Sequence, residues 1–254
     1  MKALTIALLA TAVAAIPQGE PKNPCAPKSG RGSTPVNPLA GGSGANKPAT
    51  SPNQIANEVM EGACKDIIFI MARASTEPGN MGGTMGPIVC KGLKENYPDK
   101  VACQGVGGAY SAGILDNVQP KGTTAAAISE ATKMFTQAST KCPNALLTFG
   151  GYSQGSAVMH NTVSALSEAM KSKIVAGVLF GDTRNKQDGY KIANFPKEKV
   201  MIFCDSTDGV CEGKLSVTQG HMVYACNGDG PKGISFLKGK IDAALGKKGA
   251  RFVD

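Results

Sequence analysis

Five short apolar runs rich in β-branched residues, separated by stretches of helical spacing, leave this chain few folds to choose from. The runs are DIIFIMA (66 to 72), KVACQGV (100 to 106), ALLTFGG (145 to 151), IVAGVLFG (174 to 181) and KVMIFC (199 to 204). Their continuous apolar character predicts strands buried on both faces, as in a parallel sheet. Residues 83 to 96, 122 to 139 and 154 to 172 carry the spacing of amphipathic helices, and a last helix is expected over 234 to 245. Alternation of this kind predicts an α/β fold, a three-layer sandwich with a central five-stranded parallel sheet flanked by helices and joined by right-handed crossovers. In such sheets a ligand site lies beyond the carboxyl ends of the strands. Four loops then share one rim: ARASTEPGN, GGAYSAGILDN, the SQG turn and DSTDGVCEG.

Residues 1 to 15, MKALTIALLATAVAA, have the early lysine, apolar stretch and small final residues of a cleaved signal peptide. They are too short to span a bilayer, which takes about 20 apolar residues. Residues 16 to 51 are rich in Pro, Gly, Ser, Lys and Asn and nearly devoid of large apolar side chains, so a disordered propeptide or extension is expected there. Residues 52 to 254 are then expected to form one domain with a sizeable core. Eight cysteines behind a signal peptide predict disulfides and a secreted, extracellular protein. Metal binding is not expected, since the chain has only two histidines and no C-x2-C pair. Although the formal net charge is +8, the basic residues are scattered and not interleaved with aromatics, which argues against nucleic acid as a partner.

At residues 150 to 158, GGYSQGSAV follows an apolar strand and opens a helical stretch. Glycine and serine are also ordinary turn residues. The G-x-S-x-G spacing is nevertheless that of a turn that lifts a serine hydroxyl above a sheet edge. A serine hydroxyl needs a base, usually a histidine oriented by a carboxylate, and in sheet hydrolases the order is serine, acid, histidine. Only His221 follows both Ser153 and the acidic loop. His160, about two helical turns beyond Ser153, is expected as a helix-flank residue instead. Asp205 and Asp208 both lie between Cys204 and Cys211. Asp208, near the middle of that loop, is the preferred acid, Asp205 reads as a turn residue, and Asp182 is a more distant candidate. An oxyanion needs two further donors. The N–H of Gln154 supplies one by the geometry of the turn, and the N–H of Ser75 the other, with its hydroxyl as a third.

Taken in order, FIMARASTEPGN, CQGVGGAY, TKCPNALLTFGGYSQGSAV, VLFGDT and FCDSTDGVCEG followed by GHMVYA resemble the fungal cutinase family over about residues 60 to 245. The resemblance implies a small α/β-hydrolase with no cofactor, no large lid and a solvent-accessible serine. It implies Ser153 as nucleophile, Asp208 as acid, His221 as base, Ser75 and Gln154 as the oxyanion hole, and Asn117 as the residue that supports Ser75. Pairing of Cys64 with Cys142 and of Cys204 with Cys211 follows from the same pattern. Cys90 and Cys103 flank a helix-to-strand connection and are expected to pair, which leaves Cys25 for Cys226.

Ile114, Leu115, Tyr152, Leu215, Val217 and Met222 are expected to rim the site. Leu215 and Val217 alternate with Lys214 and Ser216, as in a half-exposed segment. An apolar rim around an open serine suits an insoluble aliphatic polyester such as cutin. Acetylxylan esterases share this fold and triad, but the STEPGN loop and apolar rim lie closer to the cutinase pattern. A secreted recognition protein with incidental hydrolase activity is the reading from a different class. A monomer is expected for an enzyme that works on a solid surface. Three departures stand out: Ala74 in place of a glycine beside the oxyanion serine, Gly209 in place of a larger apolar residue, which would thin one wall, and Asp182 in place of an aromatic, where a carboxylate would alter acid-side electrostatics.

Overall fold

A computed structural model describes residues 52 to 250. The expected signal peptide, the extension to residue 51 and Cys25 of the Cys25–Cys226 pair lie outside the described residues.

Five parallel strands form one sheet in the order β2-β1-β3-β4-β5. They are β1 (Ile67–Ala72), β2 (Val101–Gly105), β3 (Leu146–Tyr152), β4 (Ile174–Phe180) and β5 (Val200–Phe203). Each coincides with an apolar run to within a residue or two. The helices are α1 (Glu58–Glu61), α2 (Met85–Asn96), α3 (Ala125–Lys141), α4 (Gln154–Ala165), α5 (Glu168–Lys173) and α6 (Asp229–Ala250). Among the described residues no helix is long and apolar enough to cross a membrane.

The period-two alternation of a strand sends successive side chains to opposite faces. Ile68, Ile70 and Ala72 join Phe135 of α3 and Val158 of α4 in one core. Ile67, Phe69 and Met71 join Val89 of α2 and Leu237 of α6 in the other. Burying each of the larger of these side chains is worth about 1.5–3 kcal/mol, so both faces of β1 hold helices in place.

The helix boundaries shift from the sequence expectation by two or three residues in α2 and α3 and by more in two places. The single helix expected over 154 to 172 is broken at Leu166, whose backbone is extended (ψ 151°), because the Ser167 hydroxyl accepts from the Met170 N–H and caps a new helix. The last helix starts at Asp229, before the expected Ile234. Gly230, Pro231 and Gly233 hide that start, yet proline is tolerated in a first turn, where its missing N–H has no partner to lose.

Among the described residues three disulfides fasten the periphery: Cys64–Cys142 holds the approach to β1 against the end of α3, Cys90–Cys103 ties α2 to β2, and Cys204–Cys211 closes the loop after β5.

Candidate active site

β3 runs straight into the turn. Ser153 has φ 54° and ψ −121°, a conformation that costs a non-glycine residue about 1–3 kcal/mol. Its surroundings hold it there: the Ser153 N–H donates to Phe180 O at 2.9 Å, and its carbonyl accepts from the Ser156 N–H at 2.9 Å. Gly155 lets α4 close on β1, since a Cβ there would sit 2.0 Å from Ala72 O. That approach brings the loop after β1 beside the first turn of α4, whose leading N–H groups have no acceptor within the helix.

His221 Nε2 lies 2.9 Å from Ser153 Oγ, and His221 Nδ1 lies 2.8 Å from Asp208 Oδ2. All three residues are buried, so Ser153 is less open to solvent than the resemblance implies. The opposite oxygen, Asp208 Oδ1, accepts from the Val210 N–H at 3.0 Å. A carboxylate only accepts, so Nδ1 carries the proton that faces Asp208 and Nε2 is left to accept from the serine. A hydroxyl, imidazole and carboxylate in this series can pass a proton from serine to histidine while the carboxylate holds the ring.

Two tyrosines of the histidine neighbourhood carry contacts that sequence reasoning missed. Tyr224 donates to Asp208 Oδ2 at 2.6 Å and accepts from the Asp205 N–H at 2.9 Å; burial and the adjoining carboxylate push its phenol well above the ordinary tyrosine range. GHMVYA contained this tyrosine, but a role for it needed the three-dimensional partner. Tyr152, expected at the rim, is instead buried and donates to His221 O at 2.7 Å. It follows β3 inward because the strand's alternation sends Tyr152 to the core of α2 and α6. Gly181, with φ 52°, makes room for the imidazole: a Cβ would meet His221 Cε1 at 2.6 Å.

Asn117 Nδ2 donates to Ser75 Oγ at 2.8 Å and to Ile114 O at 2.9 Å, fastening the loop after β2 to the loop after β1. Gln154 Nε2 donates to Gly113 O at 2.7 Å and braces the same loop from α4. Arg73 works from behind, donating to Glu77 O, Val106 O, Tyr110 O and Ser111 O. Burial raises the Glu77 carboxyl, which accepts from the Ala74 N–H at 2.8 Å.

Ile114, Leu115, Leu215 and Val217 are exposed, as is Val118, which the sequence reading omitted. Lys214 and Ser216 are exposed too, so the alternation expected there is absent and the whole segment stands in solvent. Met222 is half-buried. Asp205 accepts from the Thr207 N–H and hydroxyl and behaves as a turn residue.

The three departures take on new meanings. The Ala74 side chain packs in the core with Phe69 and Met71, so its methyl adds to the interior. Gly209 does not thin a wall: a Cβ there would meet Ser216 O at 2.8 Å, so main chain already fills the space. Asp182 points away from the acid loop to His160, with Oδ2 2.7 Å from Nε2. His160 is therefore buried beneath the site and is not a flank residue. Burial alone would depress its pKa, but Asp182 and Asp188 outweigh that and raise it to about 9.

A model of the cutinase family matches residues 63–241. The chain is 48% identical over 190 residues to a probable cutinase 1 of Aspergillus niger, covering 74% of this chain and 72% of the relative. It is 45% identical over 185 residues to cutinase 1 of Fusarium vanettenii, covering 72% of this chain and 80% of that one. A Trichoderma reesei cutinase in complex with a phosphonate inhibitor superposes with TM-score 0.65 at 30% identity, covering 74% of this chain and 80% of that one. An acetylxylan esterase structure shares the fold, with TM-score 0.55 at 18% identity over 70% of this chain and 99% of that one. By matched span, identity and coverage, the chain belongs to the cutinase family of carboxylic ester hydrolases.

Proposed function

We propose that the protein is a secreted serine esterase that hydrolyses the ester bonds of cutin, with Ser153, His221 and Asp208 as its catalytic triad. The observation that carries this reading is the series Asp208 Oδ2, His221, Ser153 Oγ, two contacts of 2.8 and 2.9 Å in the order that acyl transfer needs.

His221 Nε2 takes the Ser153 proton as Oγ attacks the ester carbonyl. The N–H groups of Ser75 and Gln154 receive the oxyanion, with the Ser75 hydroxyl held in position by Asn117. The imidazolium then returns the proton to the leaving alkoxide, and the alcohol departs. Water enters, gives a proton to His221 and attacks the acyl-enzyme, after which the collapse frees the acid and restores Ser153. Asp208 fixes the ring and balances its charge throughout.

Leu115 and Leu215, 77% and 62% exposed, support an apolar substrate, because side chains this large on the rim lose water when an aliphatic polyester covers them. The three disulfides among the described residues fit an oxidising compartment, and residues 1 to 15 fit export. Action as a monomer leaves that rim free to reach a solid surface.

Purified mature protein given cutin and acetylated xylan side by side, with Ser153→Ala as blank, tests the proposal. Hydroxy fatty acids from cutin are expected. Acetate alone would keep the triad and overturn the substrate, and equal release by Ser153→Ala would overturn the triad.

A further inference from the structure

Of the two histidines in the chain, His221 faces one carboxylate and one hydroxyl, whereas His160 faces two carboxylates. His160 Nε2 is 2.7 Å from Asp182 Oδ2, and Nδ1 is 2.9 Å from Asp188 Oδ2, though not aligned as a hydrogen bond. Two carboxylates within 3 Å of the ring favour its doubly protonated, charged form. Asp188 is also clamped by Arg184, through Nε at 3.2 Å and a second guanidinium nitrogen at 2.5 Å. Two positive and two negative groups thus balance in a largely buried cluster, which is the condition for holding charge away from water.

The position of this cluster matters more than its charge. Asp182 lies between Gly181, which is packed against the His221 ring, and Thr183, whose hydroxyl donates to Ser153 O at 3.4 Å. Just before Gly181, Phe180 O accepts the Ser153 N–H. The exit of β4 is therefore fastened to α4 at both ends, at Ser153 and two turns later at His160. Arg184 also donates to Pro120 O at 3.2 Å, which reaches the loop that carries Asn117.

We infer that His160 and Asp182 are positioning residues: their ion pair clamps the β4 exit to α4 and so holds Ser153 and His221 at reacting distance. The inference rests on the triad assignment above. Neither residue touches substrate; both act through Gly181 and Thr183. Loss of either partner frees the segment that supports both the hydroxyl and the imidazole, and a displacement near 1 Å there lowers the rate by about tenfold or more.

The test uses His160→Gln, Asp182→Asn and the double variant, with kcat for a soluble p-nitrophenyl ester expressed per serine titrated by an alkyl phosphonate. Each single variant is expected to lower kcat about tenfold with KM little changed, and the double variant, which sets amide against amide, to recover part of the loss. Single variants within twofold of the parent, whatever their melting temperature, would make the pair merely structural and overturn the inference. Losses that simply multiply in the double variant would also overturn it. Failure of the triad reading is distinguishable, because the parent protein would then take up no phosphonate at Ser153. If the variants do not fold, 15N-histidine spectra of the parent protein decide: the His160 resonances are expected to shift when Ser153 is phosphonylated, and resonances that stay put would contradict the clamp.

Discussion

Tyr224 Oη and His221 Nδ1 meet the same carboxylate oxygen, Asp208 Oδ2, at 2.6 and 2.8 Å. The tyrosine thus fixes the acid from the side that the histidine leaves open, and it also receives the Asp205 N–H. A hydrogen bond to a charged group is worth about 1.5–3 kcal/mol. Tyr224→Phe is expected to keep the fold and lower kcat about tenfold, with KM for a soluble ester unchanged. Steady-state kinetics on the variant check this.

Gly181 should tolerate no side chain. Its φ of 52° and a Cβ position 2.6 Å from His221 Cε1 mean that Gly181→Ala must displace the imidazole or the strand exit. The expected result is a loss of about 100-fold in kcat/KM with the protein still folded, measured by ester hydrolysis alongside circular dichroism.

Stability should depend on pH through His160. Its folded pKa of about 9 lies above the ordinary value of 6.5, so its contribution is complete below pH 6.5 and is lost as pH rises through 9. Between those limits stability is expected to fall by up to about 1.4 kcal/mol per pH unit. Urea melts from pH 6 to 10 should show that decline in the parent protein and a flatter curve in His160→Gln.

Opening the Cys204–Cys211 bridge should release the acid. The bridge spans seven residues and encloses Asp208. Closing a loop of that length stabilises a folded chain by about 2–3 kcal/mol. Cys204→Ser with Cys211→Ser is expected to lower the melting temperature and to lower kcat by more than the stability loss explains, measured well below the transition.

The sheet was legible because strands buried on both faces leave continuous apolar runs, and β1 to β5 each fall on one. The G-x-S-x-G turn, the cysteine-bounded aspartate and the chain order pointed to Ser153, Asp208 and His221, which the fold brings into contact. What the residues could not give were partnerships between distant positions. Tyr152 looked like a rim residue because it adjoins the serine, yet strand alternation buries it under the His221 loop. His160 and Asp182 sit 22 residues apart and each had a plausible solitary role; only packing of α4 against the end of β4 makes them a pair. The space at Gly209 was likewise settled by main chain folding back from Ser216.

The central claim is that Ser153 is the nucleophile of an esterase adapted to aliphatic chains. Treatment with a long-chain alkyl phosphonate p-nitrophenyl ester, followed by peptide mass mapping, tests it most directly. One adduct per chain on the Ser153 peptide, with loss of esterase activity in step, is the predicted result. An adduct on another residue, or full activity after Ser153 is modified, would contradict it.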